Sequence, residues 1–346
     1  MNPMNSMNPS NLMVMTRYLY VKEEVAVAIL TSMLDNDPVA IYWAYELYYS
    51  GFEEETMELI FKIYYYLFAS LNPDVELFIF EKFAEWHTSP STNAYVINDI
   101  MQTLLIRPYD TDVFLLHRMA IYLDYDADVS CLNMSAMSNM DLAAYFVAHK
   151  YECDSLVPII CAYYGCAEWT LVCPFPHLKP IVLLSRCIAV QNKKERCLPL
   201  YMKTKPADAL KYETRDISPP YMALKTVCLQ MDPNHYLAIF DTSRRASPSA
   251  IKIYHQCWLL CASYSPVWMA RVVAYGGSIV ANKIVFAEED GEEAFYERYG
   301  YEPEEQTMEV QRRNIPPIIE EKTWLQLVRT GIFPETEYEL NMIINL

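Results

Sequence analysis

The sequence predicts an all-α protein made of stacked helical hairpins, similar in architecture to an α-solenoid, in two packed helical regions. Hydrophobic residues make up 53% of the 346 residues, so the chain can bury a large core. Apolar residues recur at helical spacings of three and four in segments such as 21–36. The chain has only seven glycines, which argues against a turn-rich β protein and against a glycine-rich phosphate loop.

Residues 37–73 are predicted to form a buried helical hairpin around which the fold is organised. Asp37 is a suitable N-cap for the first helix, and Gly51 is a suitable C-cap. Three glutamates open the second helix, and Asn-Pro ends it. Both helices are apolar on nearly all sides, so most of their surface must be buried. Glu46 and Lys62 are the charges in the middle of these helices, and we expect them to pair.

Proline and glycine divide the rest of the chain into further elements. The predicted helices span residues 74–87, 92–106, 111–122, 142–149, 156–164, 178–190, 221–230, 250–262, 266–275, 288–299 and 321–330. Residues 279–286 fit either a short strand or a buried helix. The predicted organisation is a disordered tail (1–15), an acidic helical region (16–124), a linker (125–140) and a C-terminal helical region (141–346) with an irregular basic segment at 191–220.

The ten cysteines all lie between Cys131 and Cys261, mostly within apolar runs, and we expect reduced core thiols. The best metal candidate is Cys161-x4-Cys166-x6-Cys173-x3-His177. This spacing is looser than the close C-x2–4-C pairs typical of zinc sites. We therefore predict no metal and no other cofactor, with zinc at these four residues as the alternative.

No sequence pattern indicates catalysis. The six histidines are scattered singly, and the H-E-x-x-H, G-x-S-x-G and GxxxxGK[ST] motifs do not occur. The prediction is a protein without enzymatic activity that acts as an interaction partner or scaffold. An enzyme with an unrecognised site remains the third alternative.

One segment differs in charge from the rest of this acidic chain. Residues 177–225 carry 10 basic and 4 acidic side chains, a formal charge of +6, whereas the whole chain carries −17. We expect the segment to contact protein, either the acidic part of this chain or a separate partner. The alternative is a nucleic-acid-associated factor whose basic side chains follow a phosphate backbone while Tyr201 and Tyr212 stack on bases. The candidate interaction residues are Lys193, Lys194, Arg196, Lys203, Lys205, Lys211 and Arg215.

The N-terminus lacks the basic start and long apolar run of a signal peptide, and no stretch has the roughly 18 apolar residues that a membrane span requires. We therefore expect an intracellular protein.

Three stretches together resemble an uncharacterised protein family of nucleocytoplasmic large DNA viruses, the giant viruses and their relatives. They are AIYWAYELYYSGF at 40–52, SPVWMARVVAYGG at 265–277 and ERYGYEPEEQ at 297–306. The resemblance leaves the basic middle of the chain unmatched. It implies a viral protein located in the host cytoplasm or the virion, and it identifies no catalytic residue.

Overall fold

A computed structural model describes residues 14–20, 22–122, 133–165, 173–192, 200–213 and 258–299. These residues are mostly helical and include one small antiparallel sheet, which confirms the predicted all-α class with a short stranded segment. The helices are α1 (Lys22–Leu34), α2 (Val39–Tyr48), α3 (Glu53–Ile63), α4 (Val75–Thr88), α5 (Tyr95–Leu105), α6 (Asp112–Tyr122), α7 (Asn139–Ala148), α8 (Cys153–Tyr164), α9 (Lys179–Gln191), α10 (Pro206–Glu213), α11 (Pro266–Ala274) and α12 (Glu289–Tyr299). A π-helical turn, Tyr64–Phe68, follows α3, a 3-10 turn, Pro176–Leu178, precedes α9, and residues 258–262 are also helical. The strands are β1 (Gly277–Val280) and β2 (Lys283–Phe286).

The chain divides into two compact units that do not follow chain order. Residues 1–56 and 207–346 form the discontinuous unit, and residues 57–206 form the central unit. This division differs from the sequence-based boundary at 125–140. The helices on either side of that segment, α6 and α7, pack against each other within the central unit. Packing contacts therefore join regions that the composition of the linker suggested were separate.

In the discontinuous unit, α1 packs against α2 and the preceding segment is held by buried polar contacts. The Arg17 Nε donates to Glu46 Oε2 at 3.0 Å, and both side chains are almost fully buried. The indole N–H of Trp268 donates to the Thr16 carbonyl at 3.0 Å. Met15 is buried as well, so residue 15 does not belong to a disordered tail as predicted. Residues 1–13 of the predicted tail lie outside the described residues.

Both residues predicted as caps of α2 act in the turns that flank it, although the helix runs from Val39 to Tyr48 and its C-cap is Tyr49. The Asp37 carboxylate accepts the Val39 backbone N–H at 2.9 Å. Gly51 has a φ of +93°, and a Cβ added there would lie 2.5 Å from the Cβ of Pro266. Glycine is needed at this turn for both its backbone conformation and its lack of a side chain.

The undecided segment at 279–286 lies within a β-hairpin. β1 and β2 pair in antiparallel register with Val280 opposite Lys283, so the turn has two residues. Ala281 and Asn282 both have positive φ, +48° and +59°, as a type I′ turn requires. The hairpin carries Phe286, whose ring centroid lies 5.2 Å from that of Phe295 on α12.

The central unit contains the end of α3 and helices α4 to α9, and the predicted helix bounds here agree with the structure to within a few residues. The exception is the long second helix of the predicted hairpin, which becomes π-helical at Tyr64–Phe68. The three tyrosine hydroxyls of this turn bond to separate partners. Tyr64 donates to the Asn72 carbonyl at 3.1 Å, Tyr65 donates to Glu76 Oε1 at 2.8 Å, and the Tyr66 hydroxyl lies 2.9 Å from His117 Nδ1.

The predicted pairing of Glu46 with Lys62 is wrong. Glu46 pairs with Arg17, and the Lys62 ammonium lies 2.6 Å from Glu58 Oε1, one helical turn away in α3. Each charge has a partner within its own unit. The helices predicted at 221–230 and 321–330, and all but 258–262 of the one predicted at 250–262, lie outside the described residues.

Candidate interaction surface

The structure describes three of the seven basic residues predicted to bind a partner. Lys203 and Lys205 belong to a stretch without regular secondary structure, residues 200–205, which we call the lysine segment, and both side chains are exposed. Lys211 lies within α10. The remaining four, Lys193, Lys194, Arg196 and Arg215, lie outside the described residues.

The lysine segment lies against α5 in the central unit, and its backbone is held by buried polar side chains of that helix. Thr103 and Asp99, one turn apart on α5, accept the backbone N–H groups of Met202 and Thr204 at 3.0 and 2.5 Å. Asn98 donates to the Thr204 hydroxyl at 2.8 Å. Each of the three α5 side chains is almost completely buried. The path of the segment is therefore determined by the helix on which it lies.

Tyr201 fixes the start of the segment through its ring. The ring stacks on Phe78, with centroids 4.7 Å apart, and the Arg107 guanidinium carbon lies 5.4 Å from the ring centroid. Arg107 also donates to the Leu200 carbonyl at 2.6 Å. Since an aromatic ring and a guanidinium already contact Tyr201, this tyrosine serves packing within the protein.

The second tyrosine that the sequence suggested for base stacking is also engaged. Tyr212, at the end of α10 in the discontinuous unit, stacks on Tyr45 with ring centroids 4.5 Å apart. Neither tyrosine therefore offers a ring free of contacts.

Charges of both signs lie close to the lysine segment. Lys82 on α4 bridges Asp99 and Glu85, with Nζ to oxygen distances of 2.9 and 2.7 Å. The pKa of Glu85 is lowered first by its hydrogen bond from Lys82, then by one from Tyr95, and the charge of Lys203 contributes a smaller effect. This carboxylate is therefore ionised at neutral pH, and the surface around the exposed lysines is mixed in sign.

The four residues of the zinc alternative are not brought together where they are described. Cys161 is buried in α8, and the His177 Nε2 lies 3.0 Å from Glu58 Oε1. Cys173 donates its thiol hydrogen to the Phe175 carbonyl at 3.2 Å, and burial raises its pKa to about 11. Cys166 lies outside the described residues. Among the residues that are described, no three His, Cys, Asp or Glu side chains are grouped so that they could hold a metal ion.

Sequence reasoning missed the side chains that hold the lysine segment. A signal was present, because Asn98, Asp99 and Thr103, together with Gln102, lie in a helix whose other residues are apolar or aromatic. Polar groups that are buried need hydrogen-bond partners, so these three predict a segment packed on α5. The pattern does not identify which segment, since about a hundred residues separate the partners.

No protein-family model, no curated protein and no solved structure matches this chain. In the part of the chain that the structure describes, none of the helices has the length and apolar character needed to cross a membrane.

Proposed function

We propose that the protein is a non-enzymatic interaction or scaffold protein, and that the lysine segment binds an acidic surface on a protein partner. The observation that supports this is the combination of a fixed backbone and exposed charge. Thr103 and Asp99 hold the main chain of the segment, while Lys203 and Lys205 extend into solvent. A contact surface that is already ordered loses less conformational entropy on binding.

A protein partner fits this surface better than a nucleic acid does. A phosphate backbone favours an uninterrupted positive field, because affinity increases with the number of phosphates neutralised. Here the ionised Glu85 lies near Lys203, and Glu81 is exposed on the same helix, α4. Tyr201 already stacks on Phe78. A protein surface can match such a mixture of charges, and charge complementarity then gives specificity.

The viral assignment rests on the three resembling stretches alone. We include in the proposal that the protein acts in a virus-infected cell, in the virion or in genome replication. The proposal that it is not an enzyme rests on the lack of a catalytic motif in the sequence.

Charge reversal tests the proposal directly. The double variant Lys203→Glu/Lys205→Glu changes the formal net charge by −4, and the control Lys150→Glu/Lys283→Glu makes the same change at two other exposed lysines. Tagged forms would be recovered from the native source, and co-purifying proteins quantified by mass spectrometry. We expect one specific partner to be retained by wild type and control but lost from the lysine-segment variant.

Nucleic-acid binding is measured on the same three proteins by fluorescence anisotropy with duplex DNA and single-stranded RNA. We expect negligible binding at physiological salt. Submicromolar binding by the wild type, with log affinity falling against log salt by roughly 0.9 per phosphate contacted on duplex DNA, would overturn the protein-partner proposal. Turnover of a small substrate would overturn the non-enzymatic one.

A further inference from the structure

The central unit has a second surface feature, an open cleft of about 650 Å³ between α4, residues 173–174 and α9. This volume falls in the usual range for sites that bind an organic group. Its walls are mostly apolar, and they include an ion pair of Glu76 and Arg186. The lysine segment does not line it.

The apolar wall of the cleft is aromatic. The half-buried rings of Phe80 and Phe83 meet the buried ring of Phe61 edge to face, at centroid distances of 5.6 and 5.4 Å. Phe83 also meets Phe175, at 5.8 Å. Aromatic rings favour such edge-to-face and offset arrangements, so a further ring entering the cleft would extend an existing cluster.

The rim of the cleft is apolar and uncovered. The Leu77 side chain is 68% exposed, and Ala84, two turns further along α4, is exposed too. Exposed apolar groups that adjoin an apolar cleft are typical of binding sites. A small molecule seated against the phenylalanines would leave this rim in water, whereas a side chain presented by a protein would bring further surface to cover it.

The ion pair of Glu76 and Arg186 determines which hydrogen-bonding group a ring in the cleft should carry. Glu76 Oε1 accepts hydrogen bonds from the Tyr65 hydroxyl and from Arg186 Nη2, each at 2.8 Å. The other oxygen, Oε2, accepts no hydrogen bond from the described residues, and the Glu76 side chain is 22% exposed. The guanidinium beside the carboxylate balances its charge. The site therefore favours a neutral N–H or O–H donor over an ammonium group.

We propose that this cleft binds a tryptophan or tyrosine side chain of a protein partner, with its ring against Phe80 and Phe83 and its N–H or O–H donating to Glu76 Oε2. Tryptophan and tyrosine are the residues most often found as anchors in well-packed interface pockets. The inference rests on the proposed role as an interaction protein, but it concerns a different surface from the lysine segment.

The test uses N-acetyl-L-tryptophanamide as probe and the full ¹⁵N-labelled chain, observed by NMR. We expect saturable shifts confined to α4 and the residues facing it, at the affinity of roughly 1 mM that one side chain supplies. The matched probe is the same amide methylated on the indole nitrogen, which keeps the ring and removes the donor. It should bind about tenfold more weakly, because it lacks a hydrogen bond to a charged group.

Two variants locate the site. Ala84→Phe fills the cleft from an exposed position and should abolish binding, while Ala162→Phe at an exposed position on α8 should not. Glu76→Gln weakens the acceptor and should lower affinity several-fold, while Glu81→Gln, an exposed carboxylate on the same helix, should leave it unchanged. Far-UV circular dichroism of each variant shows whether the fold is kept.

The inference would be overturned if no NMR signal of α4 shifted at probe concentrations up to roughly 10 mM, which is about tenfold above the expected dissociation constant. Equal binding of the methylated probe, or full binding by a folded Ala84→Phe variant, would overturn it too. Lys203→Glu/Lys205→Glu should not affect this titration. If Lys203→Glu/Lys205→Glu loses the partner and the wild type does not bind the probe, the cleft proposal is rejected and the proposed function is kept. If that variant keeps the partner and the wild type binds the probe, only the role of the lysine segment is rejected.

Discussion

Removal of the Arg17 side chain should destabilise the protein strongly, because it leaves a carboxylate buried. Glu46 is completely buried and accepts hydrogen bonds from Arg17 Nε at 3.0 Å and from the Tyr18 backbone N–H at 3.1 Å. Arg17→Leu removes the compensating charge. Loss of one partner of a buried pair costs about 3–5 kcal/mol.

Substitution of Glu46 should lower the free energy of unfolding less than substitution of Arg17 does, because Arg17 has other hydrogen-bond partners. Its Nη2 donates to the Tyr212 carbonyl at 2.6 Å and its Nη1 to the Glu213 carbonyl at 3.1 Å. Glu46→Gln keeps an oxygen acceptor in place, and we expect a loss of about 1–2 kcal/mol. An exposed pair serves as control. Lys22 and Glu55, with Nζ and Oε2 2.6 Å apart, are partly in water, so removal of the Lys22 charge should cost about 1 kcal/mol or less.

The pH dependence of the free energy of unfolding independently tests the role of the Arg17–Glu46 pair. Burial raises the pKa of Glu46, and the charge of Arg17 offsets part of that rise. Without Arg17 the pKa should rise further. When the pKa of a carboxyl group is higher in the folded state than in the unfolded state, its contribution to the free energy of unfolding is largest below the unfolded pKa. This contribution is lost as the pH rises through the folded pKa. The stability gap between Arg17→Leu and wild type should therefore narrow as the pH falls towards about 5.

Urea unfolding followed by circular dichroism and tryptophan fluorescence measures these differences. An Arg17→Leu variant within about 1 kcal/mol of wild type would refute the reasoning, because a buried unpaired charge cannot be so inexpensive. So would a gap that widens on acidification.

Three further outcomes follow from single positions. Gly51→Ala should lower the free energy of unfolding by about 2–4 kcal/mol, because the new Cβ would lie 2.5 Å from a proline Cβ at a φ of +93°. The control Gly165→Ala, at a φ of +63° with open space around it, should lower it by about 1 kcal/mol in the same urea assay. Burial raises the pKa of Tyr49 to about 12, so titration at 295 nm should show phenols that resist ionisation, with stability lost as the pH rises from 10 through that value. Thr103→Val removes the acceptor for the Met202 N–H and should accelerate hydrogen exchange of that amide while leaving α5 protected.

Capping and helix-terminating residues in the sequence predicted the helix boundaries well. Asp37 accepts the Val39 N–H at the start of α2, and Gly51 provides the positive φ after its end, as the sequence indicated. These features depend on residues within a few positions of one another. The short hairpin was harder, because its turn is Ala281-Asn282 and lacks the Asn-Gly pair that marks type I′ turns in sequence.

Contacts between distant residues were not predictable from pattern. The partner of Glu46 is Arg17, which lies 29 residues earlier in a segment without helical periodicity, so the nearest helical charge was chosen instead. The lysine segment meets α5 across 99 to 106 positions. Its residues were identified as basic, but that Thr103 and Asp99 would hold its backbone could not be read from composition.

The most direct test of the proposed function is site-specific photocrosslinking at position 203. A photoreactive amino acid would replace Lys203 or, as a control, the exposed Lys150, and the products from the native source would be mapped by mass spectrometry. We expect a product at position 203 that joins the lysine segment to an acidic surface of one protein and is absent at position 150. Crosslinking to nucleic acid, or the same products at both positions, would contradict the account.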